Sequence, residues 1–262
     1  MAQPEQLPQA AKPDRSPAQL HKQATFRFQH KLNDFLPERQ KHQAIGLVFN
    51  GHQSVKHLIE SLGVPHTEVQ DILVNQSSVD FSYLVQDGDV VVVYPQDRQQ
   101  LTALQADERG FLLDNHLGRL AFYLRMLGFD CLYRNDYQDE ELAQLASQQG
   151  RVLLTRDVRL LMRNVIQYGY WVRSKIPRQQ LIEVVDRFSL SKKISPFQRC
   201  IRCNGILQQV SKQEVLESLE PLTKKYYHEF RRCPDCKQVY WKGSHHQRML
   251  RFINQTIQAS NA

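Results

Sequence analysis

Two short apolar runs, each stopping on an aspartate, constrain the fold more than any other part of the chain. FLLD ends on Asp114 and RVLLTRD ends on Asp157. Short apolar runs bounded by polar turns predict buried parallel strands. Between them, NHLGRLAFYLRMLG places Leu117, Leu120, Ala121, Leu124 and Leu127 on one helical stripe, with Gly128 set to end the helix. FDCLY (Phe129–Tyr133) reads as a further strand. NDYQDEELAQLASQQG reads as a second helix, with Asp139 as its N-cap and Gly150 as its stop. The order β-α-β-α-β with short links predicts a parallel sheet with right-handed crossovers. Ligands of such sheets bind at the carboxyl ends of the strands, so the two aspartates are expected to meet at one sheet edge.

Past Asp157 the pattern continues with a helix over VRLLMRNVIQYG, a strand at Tyr170–Ser174 and a helix over IPRQQLIEVVDRFSL. Pro177 falls in the first turn of that last helix, and Leu181, Val184, Val185 and Phe188 form its buried stripe. From Ser189 the composition changes. Thirteen Lys and Arg stand against five Asp and Glu from residue 190 onward, so this segment carries all of the chain's net charge of +7. That asymmetry points to a polyanionic partner at the C-terminal end.

The same segment holds CIRC (Cys200, Cys203) and CPDC (Cys233, Cys236). Two CxxC pairs at this separation predict four thiolates on one tetrahedral zinc ion. A site with four protein ligands leaves no position for substrate, so the zinc is expected to be structural. Basic residues flank the ligands, and Tyr240 and Trp241 follow them. Such an arrangement suits phosphate contacts and base stacking, while Trp241 packed beneath the zinc is the competing reading. Ser244 is expected to cap the last helix, with His245 and His246 facing solvent; contact of either histidine with RNA or the metal site is the competing reading. The fifth cysteine, Cys131, lies in an apolar strand and is expected to be a core residue.

The N-terminal part is a separate unit. ATFRF, Ala44–Asn50, Asp71–Asn75, Val79–Val85 and Val90–Tyr94 read as strands, and Ser54–Gly63 as a helix capped by Ser54. This order resembles a β-grasp, ubiquitin-like domain, and DGDVVVVYP looks like the ending of small sulfur-carrier proteins. Those carriers end in a free Gly-Gly, whereas this chain runs on through QDRQQ. A docking module, or a purely structural appendage, is therefore expected instead. No run approaches about 18 apolar residues, so no membrane span is expected. No secretory signal is visible, and the chain is read as cytoplasmic.

The acids Asp114, Asp136, Asp139, Glu140, Glu141 and Asp157 form a second candidate set. On spacing alone a strand-terminal Asp is first a helix cap. Carboxylates at strand ends can also hold Mg²⁺ or Mn²⁺ through oxygen, as phosphodiester hydrolysis requires. The ordered series FLLDNHLGRLAFYLRMLGFD, DEELAQLA, RVLLTRD, RCIRCNG and RRCPDCKQVYWKGSH resembles the PIN-like ribonuclease domain of the Mut-seven C-terminal type. That domain carries a zinc ribbon and can follow a ubiquitin-like domain.

The resemblance implies a Mg- or Mn-dependent ribonuclease. Asp114 and Asp157 match its strand-end acids, and Asp139 or Glu140 lies where the intermediate acid belongs, with Asp136 left open. No fourth acid follows Asp157. Arg119, Arg125 and Arg156, beside the acids, are candidates for substrate phosphates or are plain helix surface charges. Arg202, Arg231, Arg232 and Lys237 are the corresponding candidates on the ribbon. The expected partners are RNA, tRNA and ribosome-associated RNA included, and a protein docking on the β-grasp unit. The competing function is a non-catalytic RNA- or ribosome-binding adaptor.

The expected architecture is thus α/β in five parts. Residues 1–22 are a disordered tail, 23–95 a β-grasp domain and 96–109 a linker. Residues 110–190 are the PIN-like domain, and 191–262 the zinc ribbon with a C-terminal helix.

Overall fold

A computed structural model describes residues 21–96 and 106–260. The expected disordered tail, up to residue 20, and the part of the expected linker at 97–105 lie outside the described residues.

The N-terminal sheet contains β1 (Lys22–Phe28), β2 (Ile45–Phe49), β3 (Val69–Val74), β4 (Ser77–Val79) and β5 (Val90–Pro95). Helix α1 (Val55–Ser61) lies between β2 and β3. The strand order is β2-β1-β5-β3-β4, with β1 and β5 parallel and the other pairs antiparallel. Alternation along β1 buries Ala24, Phe26 and Phe28 on one face, against Val55, Leu58 and Ile59 of α1. Each such large apolar side chain contributes about 1.5–3 kcal/mol by leaving water. Ser54 caps α1, its hydroxyl accepting from His57 N at 3.3 Å. The strand expected at Val79–Val85 is not formed beyond Val79. Asp80 Oδ1 accepts from Ser82 N at 2.7 Å, and this tight turn diverts the chain, leaving a single bridge between Leu84 and Ser54.

The second sheet follows α2 (Ala106–Arg109). Its elements are β6 (Phe111–Leu113), α3 (Gly118–Met126), β7 (Cys131–Tyr133), α4 (Asp139–Gln149), β8 (Val152–Thr155), α5 (Val158–Leu161), β9 (Gly169–Trp171) and α6 (Pro177–Arg187). All four strands are parallel, in the order β7-β6-β8-β9. Side chains of β6 alternate between two cores. Phe111 and Leu113 pack with α3 and α6, while Leu112 packs with Leu142, Ala143 and Ala146 of α4. Helices therefore cover both faces of the sheet. Three boundaries differ from the sequence reading. Asp139 is the first helical residue of α4, and Gln138 stands at the cap position without a side-chain cap. Helix α5 is a single turn, and β9 ends at Trp171.

The third sheet is an antiparallel β10-β11-β12 ribbon. It comprises β10 (Gln208–Val210), α7 (Lys212–Val215), α8 (Pro221–Tyr226), β11 (Phe230–Arg232) and β12 (Val239–Trp241), and α9 (Ser244–Ser260) follows it. Helix α9 returns to the parallel-sheet unit. Ile253 enters its core, and Phe252 stacks on Tyr123 with ring centroids 4.7 Å apart. Gly128, at φ 98°, marks another junction: a Cβ there would collide with the carbonyl of Ser195.

The two outer strands of the parallel sheet each meet another unit. On β7, Cys131 N donates to Asn204 Oδ1 of the ribbon at 3.0 Å. On β9, Trp171 N donates to Glu68 Oε1 of the N-terminal sheet unit at 2.8 Å. Both edges thus have polar groups satisfied by side chains from outside the sheet. Among the described residues no helix is long and apolar enough to cross a membrane.

Candidate active site and metal centre

The chain runs outward from β6 in both directions, to β7 on one side and to β8 on the other. The topological switch point is therefore the gap between the carboxyl ends of β6 and β8. Asp114 and Asp157 stand at those two ends. Each caps the turn that follows, as a strand-terminal Asp commonly does. Asp114 Oδ1 accepts from His116 N at 2.8 Å, and Asp157 Oδ1 accepts from Arg159 N at 2.8 Å.

Thr155 joins the two. Its hydroxyl donates to Asp114 Oδ2 and accepts from Asp157 N at 2.9 Å, and Asp114 Oδ2 also accepts from Arg156 N at 3.1 Å. Asp114 is only 5% exposed and has no ion-pair partner among the described residues. Its carboxylate is held by neutral donors alone, whereas buried charged groups ordinarily pair or coordinate a cation. Asp157 is exposed, and its main-chain N–H donates to the same Thr155 hydroxyl. This donor set fits a hard, oxygen-seeking divalent ion.

The other acids are held elsewhere. Glu140 Oε1 accepts from Arg163 Nη2 at 2.9 Å, and Asp139 Oδ2 lies 4.0 Å from the same nitrogen. That hydrogen bond holds the Glu140 carboxyl below its ordinary range. Asp136 takes a two-pronged contact from Arg134, at 2.9 Å on each oxygen, which lowers it likewise. Glu141 lies 3.1 Å from the same guanidinium. Among the described residues no three acids come within ligating distance of one another; the four cysteines are the one group that does.

The expected phosphate-binding arginines are placed unequally. Arg119 is exposed at the start of α3, over the rings of Phe122 and Tyr123. Arg125 differs from the expectation: it is buried, donating to Cys131 O at 2.9 Å and Arg202 O at 2.9 Å, and so ties the ribbon to the parallel sheet. The guanidinium of Arg156 is likewise occupied by the carbonyls of Val172, Arg173 and Ser174. On the ribbon, Arg202, Arg231 and Lys237 are exposed, and Arg232 leans on Glu214 at 3.8 Å.

The four cysteine sulfurs lie within 4.8 Å of one another. Each pair sits in a turn whose next residue is left-handed, Asn204 at φ 76° and Lys237 at φ 62°. In those turns Asn204 N donates to Cys200 O at 2.8 Å and Lys237 N to Cys233 O at 3.1 Å. Two such knuckles facing each other can hold a structural metal such as zinc. Tyr240, not Trp241, packs at this centre, with its hydroxyl 3.1 Å from Cys200 Sγ; Trp241 is 38% exposed. Cys131 is buried, and burial pushes its thiol up to about 12, as befits a core residue.

Thr155 and Glu68 were not singled out in the sequence. A Thr in a strand reads as a β-former, and nothing local in HTEVQDILVN marks Glu68 as a cross-domain partner.

Residues 109–253, more than half of the chain, match the Mut7-C RNAse domain, and residues 21–101 match the Mut7-C ubiquitin domain. The chain belongs to the Mut7-C RNAse family. No curated protein and no solved structure matches it. The Mut7-C RNAse domain here comprises the parallel sheet, the ribbon and α9 as far as Ile253, and its description points to ribonuclease activity on RNA. The Mut7-C ubiquitin domain is the five-stranded unit that meets β9.

Proposed function

We propose that the protein is a divalent-metal-dependent ribonuclease of PIN-like type that hydrolyses RNA phosphodiester bonds at the β6/β8 switch point. The observation that carries this reading is the buried Asp114 carboxylate, without an ion-pair partner among the described residues, at a sheet end where such folds bind ligands. Asp114 and Asp157 would hold Mg²⁺ or Mn²⁺. A bound ion would neutralise charge on the phosphoryl group and lower the pKa of the attacking water. Thr155 fixes the Asp114 carboxylate through its hydroxyl, and Arg156 N adds a second donor. Asp139 and Glu140, exposed at the start of α4, would join only by leaving Arg163. Arg119 is the nearest exposed guanidinium on α3 for a substrate phosphate, and Arg202, Arg231, Arg232 and Lys237 would guide RNA along the zinc ribbon. The thiol ligands suit a reducing cytoplasm.

The Mut7-C ubiquitin domain would anchor the nuclease sheet with the face that carries Glu68, and any protein partner would use another face. Arg173 Nε donates to Asp34 Oδ2 at 2.8 Å and its Nη2 lies 3.6 Å from Glu68 Oε2, which supports that assignment. The absence of a three-acid group among the described residues favours a second reading, an RNA- or ribosome-binding adaptor without turnover.

Cleavage of single-stranded RNA and tRNA with Mn²⁺ decides between them. The wild-type protein is expected to cleave, and Asp114→Asn and Asp157→Asn are expected to lose cleavage while still binding RNA. Equal cleavage by all three, or by none, removes the catalytic assignment.

A further inference from the structure

A cavity of about 420 Å³ opens where the ribbon, the segment at Pro196–Phe197 and the start of α9 meet. Its volume falls within the range of small-ligand sites, roughly 300–1,000 Å³. Leu207 and Phe230, both buried, form its floor. Phe197, Tyr240, Trp241 and His246 supply aromatic walls and Arg231 supplies positive charge, while Lys242 pairs with Glu229, also in the lining, at 2.7 Å. Trp241 is the most exposed aromatic among them, at 38%.

The geometry of Phe197 is unusual. Its φ is 60°, a left-handed conformation that a bulky side chain rarely adopts. Three contacts hold it there. Phe197 N donates to Met126 O at 3.1 Å, Arg231 Nη1 donates to Phe197 O at 2.9 Å, and its ring lies 4.2 Å from the His246 ring. Strained backbone of this kind collects at binding sites, where surrounding contacts over-determine it. Burial and the nearby Lys242 keep the His246 imidazole below its ordinary range, so it presents a neutral ring.

We infer that this cavity binds one unpaired base of single-stranded RNA, stacked on the aromatic wall of Trp241, Phe197 and His246, with the adjoining phosphate at Arg231. Aromatic faces accept any base, and a guanidinium beside them adds the charge complement that a phosphodiester needs. The inference rests on the reading that RNA is the ligand, and it gives the ribbon a single-strand preference that a basic surface alone lacks. A base paired in a duplex cannot enter.

The test is binding of a fluorescein-labelled oligouridylate to the full-length protein at fixed salt without added Mg²⁺ or Mn²⁺, read by anisotropy. Trp241→Ala is expected to weaken binding by roughly tenfold or more, the scale of one lost stacking contact. Trp241→Phe is expected to restore most of it, and a duplex of the same length to bind more weakly than the single strand. Zinc content and circular dichroism verify that each variant is folded. Equal affinity of wild type and Trp241→Ala, no rescue by Trp241→Phe, or equal binding of duplex and single strand overturns the inference. A protein that binds as described but cleaves nothing keeps the cavity and loses the nuclease; one that cleaves but ignores Trp241→Ala does the reverse.

Discussion

Two places in this molecule are built from metal-ligating side chains, and they are built in opposite ways. At the ribbon, four cysteines on two knuckles converge within 4.8 Å of one another, and the surrounding strands are too short to hold the shape by themselves. At the switch point, two aspartates stand on the ends of a fully packed parallel sheet, and the remaining acids are held by Arg134 and Arg163. Four thiolates on one ion would leave no further ligand position. On the proposed reading, the second arrangement would leave one side of its ion open. A metal that folds a domain and a metal proposed to handle substrate would then ask different things of the chain: ligand number in one case, a rigid frame with a buried carboxylate in the other.

The sharpest way to break this contrast is at the ribbon. Cys233→Ala should abolish zinc retention and unfold the ribbon, since structural zinc contributes about 10–16 kcal/mol of apparent binding free energy. Metal analysis and proteolysis of the 200–241 region would read this; a stable, zinc-loaded variant would contradict it. Asp114→Asn should behave differently. It keeps the side chain's size and most of its hydrogen bonds, so stability should move by only about 1 kcal/mol, read by thermal unfolding. Cleavage in Mn²⁺ should nonetheless fall by roughly a hundredfold or more, because several kcal/mol of charge stabilisation are lost.

Thr155→Val sharpens the comparison further. It leaves Asp157 N without its acceptor and Asp114 Oδ2 with one donor fewer, at a cost of about 1–3 kcal/mol in a urea titration, together with weaker Mn²⁺ binding by calorimetry. The smallest effect belongs to Arg163→Gln. Its contacts to Glu140 and Asp139 are exposed, so the thermal midpoint should scarcely move. The variant should tighten Mn²⁺ at the switch point if either acid can complete the cage; unchanged Mn²⁺ affinity excludes both.

The sequence carried these two places with unequal clarity. CIRC and CPDC were legible because the spacing within each knuckle is local, and two such pairs have few other uses. Asp114 and Asp157 were legible as strand ends because an apolar run and its terminal acid are contiguous. What escaped was everything that depends on partners distant in the chain. Arg125 looks like a helix surface charge, yet it is buried across carbonyls of Cys131 and Arg202. Tyr240 and Trp241 are neighbours on a strand and so point to opposite faces, and only the packing of that strand decides which faces the sulfurs. The middle acids could not be separated because their arginine partners, Arg134 and Arg163, select them through the fold and not through spacing.

The outer strands β7 and β9 each give a main-chain N–H to a side chain of a neighbouring unit, Asn204 on one side and Glu68 on the other. Excising the central α/β unit would strip both covers at once, baring two template edges that invite sheet-to-sheet stacking between molecules. The catalytic fold of this chain is therefore not a detachable cassette: its insulation against aggregation is supplied by the units before and after it.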